Sequence, residues 1–285
     1  MNTAETYAIL GAGTMGGGIA QFLASAGCDI LLYDLDEKAL AKGLESIRTR
    51  LLRQEKKGTI RSEERKAIID RIHPVTDLTR LSVVTGVIEA VLERIDVKQE
   101  LFKAVEPIVG DQTWLATNTS SLSVTEIAGA LRLPQRMLGL HFFNPAPIMP
   151  LVEVVQGERT NPKVLSKVAE WIQCLGKEAV TVKDRPGFLV NRVARPFHNE
   201  AYRLVGDGVA EKSQVDRILR EAGFPMGPFE LQDLIGIDIN YAASMAVYEG
   251  FSHDPRFRPH PSQRQLVTSG ALGRKSGRGH YSYDE

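Results

Sequence analysis

Short apolar runs alternate with longer amphipathic stretches over the first two thirds of the chain, the pattern of strands and helices in turn. Residues 7–10, 30–33, 87–92, 114–117, 137–141, 151–155 and 179–182 read as buried strands, and residues 15–26 and 97–109 as helices. This alternation continues to about residue 183 and predicts a parallel sheet covered on both faces, an α/β fold. Residues 36–72 are charged, with helical periodicity broken near Gly58 and Thr59. Ser62 followed by Glu63 and Glu64 reads as an N-cap with an acidic first turn, so the stretch is expected to form a projecting helical hairpin.

Beyond residue 183 the pattern changes. Lys183-Asp184-Arg185-Pro186-Gly187 carries the Pro-Gly punctuation of a connection, and residues 188 to about 250 are largely helical in pattern. The expected organisation is therefore a doubly wound sheet domain over residues 1–184 and an all-helical domain over 185–285. Residues 251–285 are rich in Pro, Gly, Arg and Ser, without a repeat.

Composition narrows the function classes. In 285 residues, 35 Lys plus Arg balance 35 Asp plus Glu, so no global field draws the chain to nucleic acid or an anionic membrane. The two cysteines, Cys28 and Cys174, lie far apart and lack metal-ligand spacing. Reduced thiols, no metal site and a cytoplasmic location are expected. The first strand is reached without an apolar leader, and no apolar stretch approaches the roughly 18 residues that span a bilayer.

The first chemical signature is the loop Gly11-Ala12-Gly13-Thr14-Met15-Gly16, placed between a predicted strand and a predicted helix. There Gly11 permits a tight turn, Gly13 lets backbone approach a pyrophosphate, and Gly16 lets the helix pack on the sheet. The amides of Thr14 and Met15 at the helix start face the phosphates. Asp34 follows the second strand at the spacing of a carboxylate that binds ribose hydroxyls and repels a 2′-phosphate, which favours NAD over NADP. A lone glycine loop can be a packing turn; here strand, helix, second strand and acid fall in register.

The second signature is a histidine and a glutamate. His141, in Gly139-Leu140-His141-Phe142-Phe143-Asn144-Pro145, comes near the end of an apolar strand, where a parallel sheet holds its ligands. Glu153, in Leu151-Val152-Glu153-Val154-Val155, either points to solvent or has a partner, because an unpaired buried carboxylate is costly. His141 alone reads more readily as a hydrogen-bonded core histidine than as a catalyst. Beside a nicotinamide the pair acquires a purpose: oxidising an alcohol requires removal of its hydroxyl proton, and imidazole suits that near neutral pH. A glutamate on the other ring nitrogen fixes the tautomer and favours the imidazolium.

With these motifs the chain resembles the L-3-hydroxyacyl-CoA dehydrogenases, most closely the short bacterial 3-hydroxybutyryl-CoA dehydrogenases, over nearly its whole length. The resemblance rests on the glycine loop, Glu89-Ala90-Val91-Leu92-Glu93, Asn118-Thr119-Ser120-Ser121-Leu122 and His141-Phe142-Phe143-Asn144-Pro145. It continues through Leu151-Val152-Glu153-Val154, Pro186-Gly187-Phe188 with Asn191-Arg192, Pro225 to Glu230, and Leu272 to Gly279. It implies a Rossmann-like domain, a helical domain forming a homodimer interface, and reversible oxidation of (3S)-3-hydroxyacyl-CoA by NAD. It also implies His141 as general base, Glu153 as its partner, Ser120 and Asn191 as substrate contacts, and Asn144 as support near the histidine. Glu93 and Lys98 match positions that approach the nicotinamide half of NAD, and Asn118 belongs to the same cofactor set.

Pro150, where several relatives have lysine, and His280, where an aromatic residue is common, depart from the family pattern; either could alter the rim of the site. Lys56, Lys57 and Arg61, at the hairpin tip, match a region that faces the CoA nucleotide, or are a solvated helix end. Arg274, Lys275 and Arg278 form a packing turn or an anion site, and Met226 to Phe229 either line an acyl pocket or make a helix-connecting turn. A dehydrogenase of a free hydroxy acid or sugar acid is the enzymatic alternative. A nucleotide-binding structural or regulatory protein is the non-enzymatic one, which gives no reason to keep His141, Glu153, Ser120 and Asn191 together.

Overall fold

The first apolar run becomes an interior strand of an eight-stranded sheet in the computed structural model, which describes residues 5–283. The first half of the sheet unit comprises β1 (Thr6–Leu10), α1 (Thr14–Ser25), β2 (Asp29–Tyr33), α2 (Glu37–Lys56), α3 (Ser62–Asp70), β3 (Ile72–Val75) and β4 (Gly86–Glu89). There follow α4 (Ile95–Val105), β5 (Trp114–Thr117), α5 (Val124–Ala128), β6 (Met137–Phe142), β7 (Leu151–Gln156), α6 (Pro162–Cys174) and β8 (Glu178–Lys183). The strand order is β3-β2-β1-β4-β5-β6-β7-β8. Chain connection runs from β1 outward in one direction through β2 and β3, then returns to β4 and proceeds in the other. A topological switch point therefore lies between β1 and β4.

The sheet departs from the all-parallel expectation at one place: β7 runs antiparallel to β6, with His141 opposite Glu153. The segment 143–150 between them is too short for the crossover that a parallel pair needs. The α2 and α3 pair ends at Asp70, and Ile72, expected in a helix, opens β3. Among the described residues that strand pairs only with β2, and an edge position tolerates Pro74, which has no N–H to donate. β4 stops at Glu89 rather than at residue 92, and α4 runs Ile95–Val105 rather than 97–109. Ser62 is the first residue of α3 and Arg61 its N-cap; the Glu64 carboxylate accepts the Arg61 backbone N–H at 2.8 Å.

The interior of this unit is made by the strands and the inward face of α1. Ile9, Leu32, Ile88, Leu138 and Leu140 pack with Ile19 and Leu23, all fully buried. Cys28 is buried, Cys174 is exposed, and both are free thiols.

The chain divides into two compact units, Met1–Asp184 and Arg185–Glu285. The second holds α7 (Val190–Gly206), α8 (Lys212–Glu221), α9 (Pro228–Ile235), α10 (Ile237–Gly250) and α11 (Pro261–Thr268). Ala201, Tyr202, Val215 and Phe229 form a core cluster in it. Phe229, one of the two readings of which was an acyl pocket, is fully buried here. The turn before it is tight: a Cβ on Gly227 would sit 2.2 Å from Asp216 Cα. The buried Asp216 carboxylate accepts the N–H of Phe229 at 2.9 Å and of Glu230 at 3.1 Å, satisfying the start of α9. Lys275 pairs with Asp238 at 2.6 Å, which is the behaviour of a packing turn.

His280 lies inside this unit. Its ring is 4.8 Å from that of Phe229, and its Nε2 is 2.9 Å from the Tyr202 hydroxyl. That hydroxyl donates to Gln232 Oε1 at 3.0 Å, so His280 carries its hydrogen on Nε2, and its buried Nδ1 has no partner among the described residues. Burial pushes the His280 pKa down to about 4 and that of His198 down to about 3, the latter helped by Arg195 and His280. Both side chains titrate near 6.5 when unfolded, so between pH 6.5 and 4 the unfolded chain binds protons that the folded one refuses. Folding free energy is therefore lost as pH falls through that window. The melting temperature should drop between pH 6.5 and 4, and less so in His280→Phe, whose ring keeps the packing; an identical decline in both proteins would refute the assignment.

Candidate active site

The glycine loop is a tight turn between β1 and α1. Gly11 has φ +101°, and its N–H donates to Tyr33 O at 2.8 Å, closing the turn from β1 onto the end of β2. A Cβ on Gly11 would lie 2.6 Å from Ala90 O, and one on Gly16 would lie 1.8 Å from Gly11 O. Gly13 is different: a Cβ there would meet nothing within 4 Å among the described residues, so the space above it is open. Thr14 and Met15 open α1, and their amides belong to the unsatisfied first turn of that helix. On the other side of the loop, Gly43 of α2 approaches Ala12 so closely that a Cβ would be 2.3 Å from its carbonyl oxygen. The arrangement fits a dinucleotide: glycine wherever the fold is crowded, and glycine again where a diphosphate would come close.

Asp34, immediately after β2, turns its carboxylate onto the same loop. Its Oδ2 accepts the Ala12 N–H at 2.8 Å and its Oδ1 the Asp36 N–H at 3.1 Å. These bonds orient the carboxylate and leave lone pairs for a diol.

Across the switch point, the end of β4 carries a second polar group. The fully buried Glu89 accepts from Lys98 Nζ at 2.6 Å, Thr117 Oγ1 at 2.7 Å and Val91 N at 2.7 Å. Lys98 Nζ is also 3.2 Å from Glu93 Oε2. Glu93 in turn accepts from Thr119 Oγ1 at 2.6 Å, Ser120 N at 3.0 Å and Ser121 Oγ at 3.1 Å. Burial opposes ionisation of the Glu93 carboxyl, but the Lys98 charge and the bonds from Thr119 and Ser120 hold it below the usual carboxylate range. Asn118 links three strand ends: its N–H donates to Glu89 O at 2.7 Å and its Oδ1 accepts Phe142 N at 2.8 Å.

His141 and Glu153 face one another across β6 and β7, with Nδ1 2.6 Å from Oε2. Glu153 is fully buried and His141 nearly so. Because the carboxylate accepts at Nδ1, the hydrogen resides there and Nε2 is the basic nitrogen. The Phe143 ring stands 4.4 Å from the imidazole. Asn144 is exposed on the segment 143–150, which is held from beneath by a residue without any sequence motif, Lys177. Its Nζ donates to Ala146 O at 2.8 Å and Met149 O at 2.6 Å and sits 4.4 Å from the centre of the Phe22 ring, and burial lowers its pKa.

The sheet unit thus gathers the glycine loop, Asp34, Glu93, Lys98, Asn118, Ser120, His141, Asn144 and Glu153 at or just beyond the C-terminal ends of β1, β2, β4, β5 and β6 and on the start of β7. Asn191 stands in the first turn of α7, on the second unit. Lys56, Lys57 and Arg61 are exposed at the turn between α2 and α3, where Arg61 pairs with Glu64 at 3.4 Å. Lys98 is buried between two carboxylates, so any influence on a cofactor passes through Glu93. Glu89 was not among the site residues expected from sequence. Its signal is that of Glu153, one carboxylate set in an apolar run, Val87-Ile88-Glu89-Ala90-Val91-Leu92.

Comparison with known proteins agrees with this geometry. Residues 6–185 match the family model described as 3-hydroxyacyl-CoA dehydrogenase, NAD binding domain, and residues 187–283 match the 3-hydroxyacyl-CoA dehydrogenase C-terminal domain. The 3-hydroxyadipyl-CoA dehydrogenase of Escherichia coli (strain K12) is 45% identical over 99% of this chain, which spans 60% of that longer protein. The 3-hydroxybutyryl-CoA dehydrogenase of Clostridioides difficile is 38% identical, covering 98% of this chain and 99% of the relative. The crystal structure of the (S)-3-hydroxybutyryl-CoA dehydrogenase from Ralstonia eutropha superimposes with a TM-score of 0.94 at 38% identity, over 99% of this chain and 100% of that one. This chain belongs to the 3-hydroxyacyl-CoA dehydrogenase family.

Proposed function

We propose that the protein catalyses the reversible NAD-dependent oxidation of a (3S)-3-hydroxyacyl-CoA to the 3-oxoacyl-CoA. The substrate would be short, 3-hydroxybutyryl-CoA with acetoacetyl-CoA as its oxidised partner, and the setting the fatty-acid chemistry of the cytoplasm. The observation that carries this reading is the His141–Glu153 pair, 2.6 Å apart, on the sheet whose glycine loop and Asp34 are shaped for NAD.

NAD, when bound, supplies the hydride acceptor. Nε2 of His141 takes the hydroxyl proton as hydride leaves carbon 3, and returns it in the reverse direction. The Glu153 carboxylate, accepting at Nδ1, holds the ring in the tautomer that can do this and stabilises the imidazolium formed. Ser120 steadies the substrate oxygen, and Asn144 supports the histidine end of the site. Asn191 is retained as a substrate contact on the family resemblance alone. NADH oxidation with acetoacetyl-CoA, run beside free acetoacetate and beside NADPH, tests the proposal. Turnover confined to the thioester with NADH is the expected result, and activity only on the free acid would replace it with the hydroxy-acid reading.

At the exposed hairpin turn, Lys56, Lys57 and Arg61 are proposed to face the CoA nucleotide. In the triple Ala variant the KM for the thioester should rise more than that for NADH; equal changes would reject the role. The helical unit exposes Val193, Val209, Ile218, Phe224 and Ile239. A homodimer through this unit is proposed, and sedimentation as a monomer at micromolar concentration would exclude it.

A further inference from the structure

The switch point divides the cofactor crevice into two halves. On one side, Asp34 and the glycine loop suit the adenosine and the diphosphate. The nicotinamide is left to the side of β4 and β5, toward His141. Two carboxylates and one ammonium stand there: Glu89, Glu93 and Lys98. The next two charges along the chain, Arg94 and Asp96, pair with each other and cancel.

The three members are not equivalent. The side chains of Lys98 and Glu89 are 1% and 0% exposed, whereas that of Glu93 is 40% exposed. Lys98 Nζ is nearer to Glu89, at 2.6 Å, than to Glu93, at 3.2 Å. Glu89 is further held as an acceptor by Thr117 Oγ1 and Val91 N, leaving it no role at the surface. One ammonium thus serves two carboxylates, and the cluster keeps one net negative charge whose exposed member is Glu93. Oxidised and reduced nicotinamide differ by one positive charge on the ring, so a surplus anion at this place distinguishes them.

We propose that Glu89 sets the redox preference of cofactor binding: by offsetting the charge of Lys98, which both carboxylates share, it leaves the cluster with one net negative charge, presented by the part-exposed Glu93, and that charge raises affinity for NAD⁺ relative to NADH. Glu89 is a positioning residue, acting through Lys98. The inference rests on the NAD reading of the crevice.

The test is an equilibrium one. NADH binding is followed by its fluorescence, and NAD⁺ binding by displacement of NADH. Glu89→Gln brings the cluster from a net charge of −1 to zero and should raise the ratio Kd(NAD⁺)/Kd(NADH) by about three- to tenfold. Glu89→Gln combined with Lys98→Met restores the net charge of −1 and should restore the wild-type ratio. A purely structural role predicts the opposite, further damage in the double variant. An unchanged ratio in Glu89→Gln, or a double variant displaced as far as the single, overturns the proposal. Should Glu89→Gln not fold, the double variant decides alone, since any ratio other than that of the wild type overturns it; misfolding of both would assign Glu89 to folding and overturn it too. If the wild-type protein binds neither nucleotide, the NAD reading falls and takes this inference with it. If it binds both and the ratio does not respond, only this inference falls.

Discussion

Replacing His141 by Gln should lower turnover of the thioester by about 10²- to 10⁴-fold, the usual worth of a general base. NADH affinity should change little, because Gln preserves a polar group opposite the buried Glu153. The effect on the chemical step is specific to the nitrogen that remains basic, Nε2, which Gln does not offer. Glu153→Gln probes the same pair from the other side. The fully buried carboxylate accepts at Nδ1 from 2.6 Å, and an amide can instead donate to Nδ1, which stabilises the tautomer with hydrogen on Nε2. Turnover should fall here too, because the hydrogen then sits on the nitrogen that must accept the proton and the imidazolium formed loses its counter-charge. Near-normal turnover of a folded His141→Gln protein would remove the histidine from the mechanism.

The second large effect is expected in the glycine loop, where two similar substitutions should fail differently. Gly16→Ala forces a methyl group into the space of the Gly11 carbonyl, 1.8 Å from the oxygen, and backbone cannot swing aside as a side chain can. The start of α1 must shift off the sheet, at a cost of about 1–3 kcal/mol or more, typical of overpacking. Melting temperature and NADH affinity should fall together. Gly13→Val meets no protein atom within 4 Å of its Cβ, and the Gly13 backbone, at φ −66° and ψ −169°, suits any residue. Its melting temperature should match that of the wild type while NADH affinity collapses, because the side chain fills the space proposed for the diphosphate. Calorimetry and NADH fluorescence separate the two. Unimpaired NADH binding by Gly13→Val would show that the cofactor does not pass over the loop.

Much of the fold was legible because its signals are local. An apolar run, a glycine turn and an amphipathic stretch each declare an element without reference to distant chain, and the Rossmann-like sheet followed by a helical domain is what they announced. Boundaries were less legible for a local reason too. The apolar character of residues 90–92 continues that of β4, but the chain leaves the sheet at Glu89, where Lys98, Thr117 and the Val91 amide take hold of the carboxylate. β3 escaped notice because a strand of four residues with a proline, lying at the sheet edge, lacks both the length and the alternation of an interior strand. His280, a departure from the family pattern with an expected bearing on the rim of the site, turned out to be an interior partner of Tyr202.

By itself the sequence determined the elements that carry chemistry: a glycine turn between strand and helix, an acid after the second strand, and a histidine and a glutamate each set in an apolar run. These depend on residue type and short spacing, which the chain states directly. Only the tertiary structure decided how they combine. The antiparallel turn of β7 makes residue 153 the partner of residue 141, and the order of β4 and β5 in the sheet brings Glu89, Glu93, Lys98 and Thr119 into one network. Strand direction and order follow from how whole layers bury their apolar faces, a condition that no single segment contains.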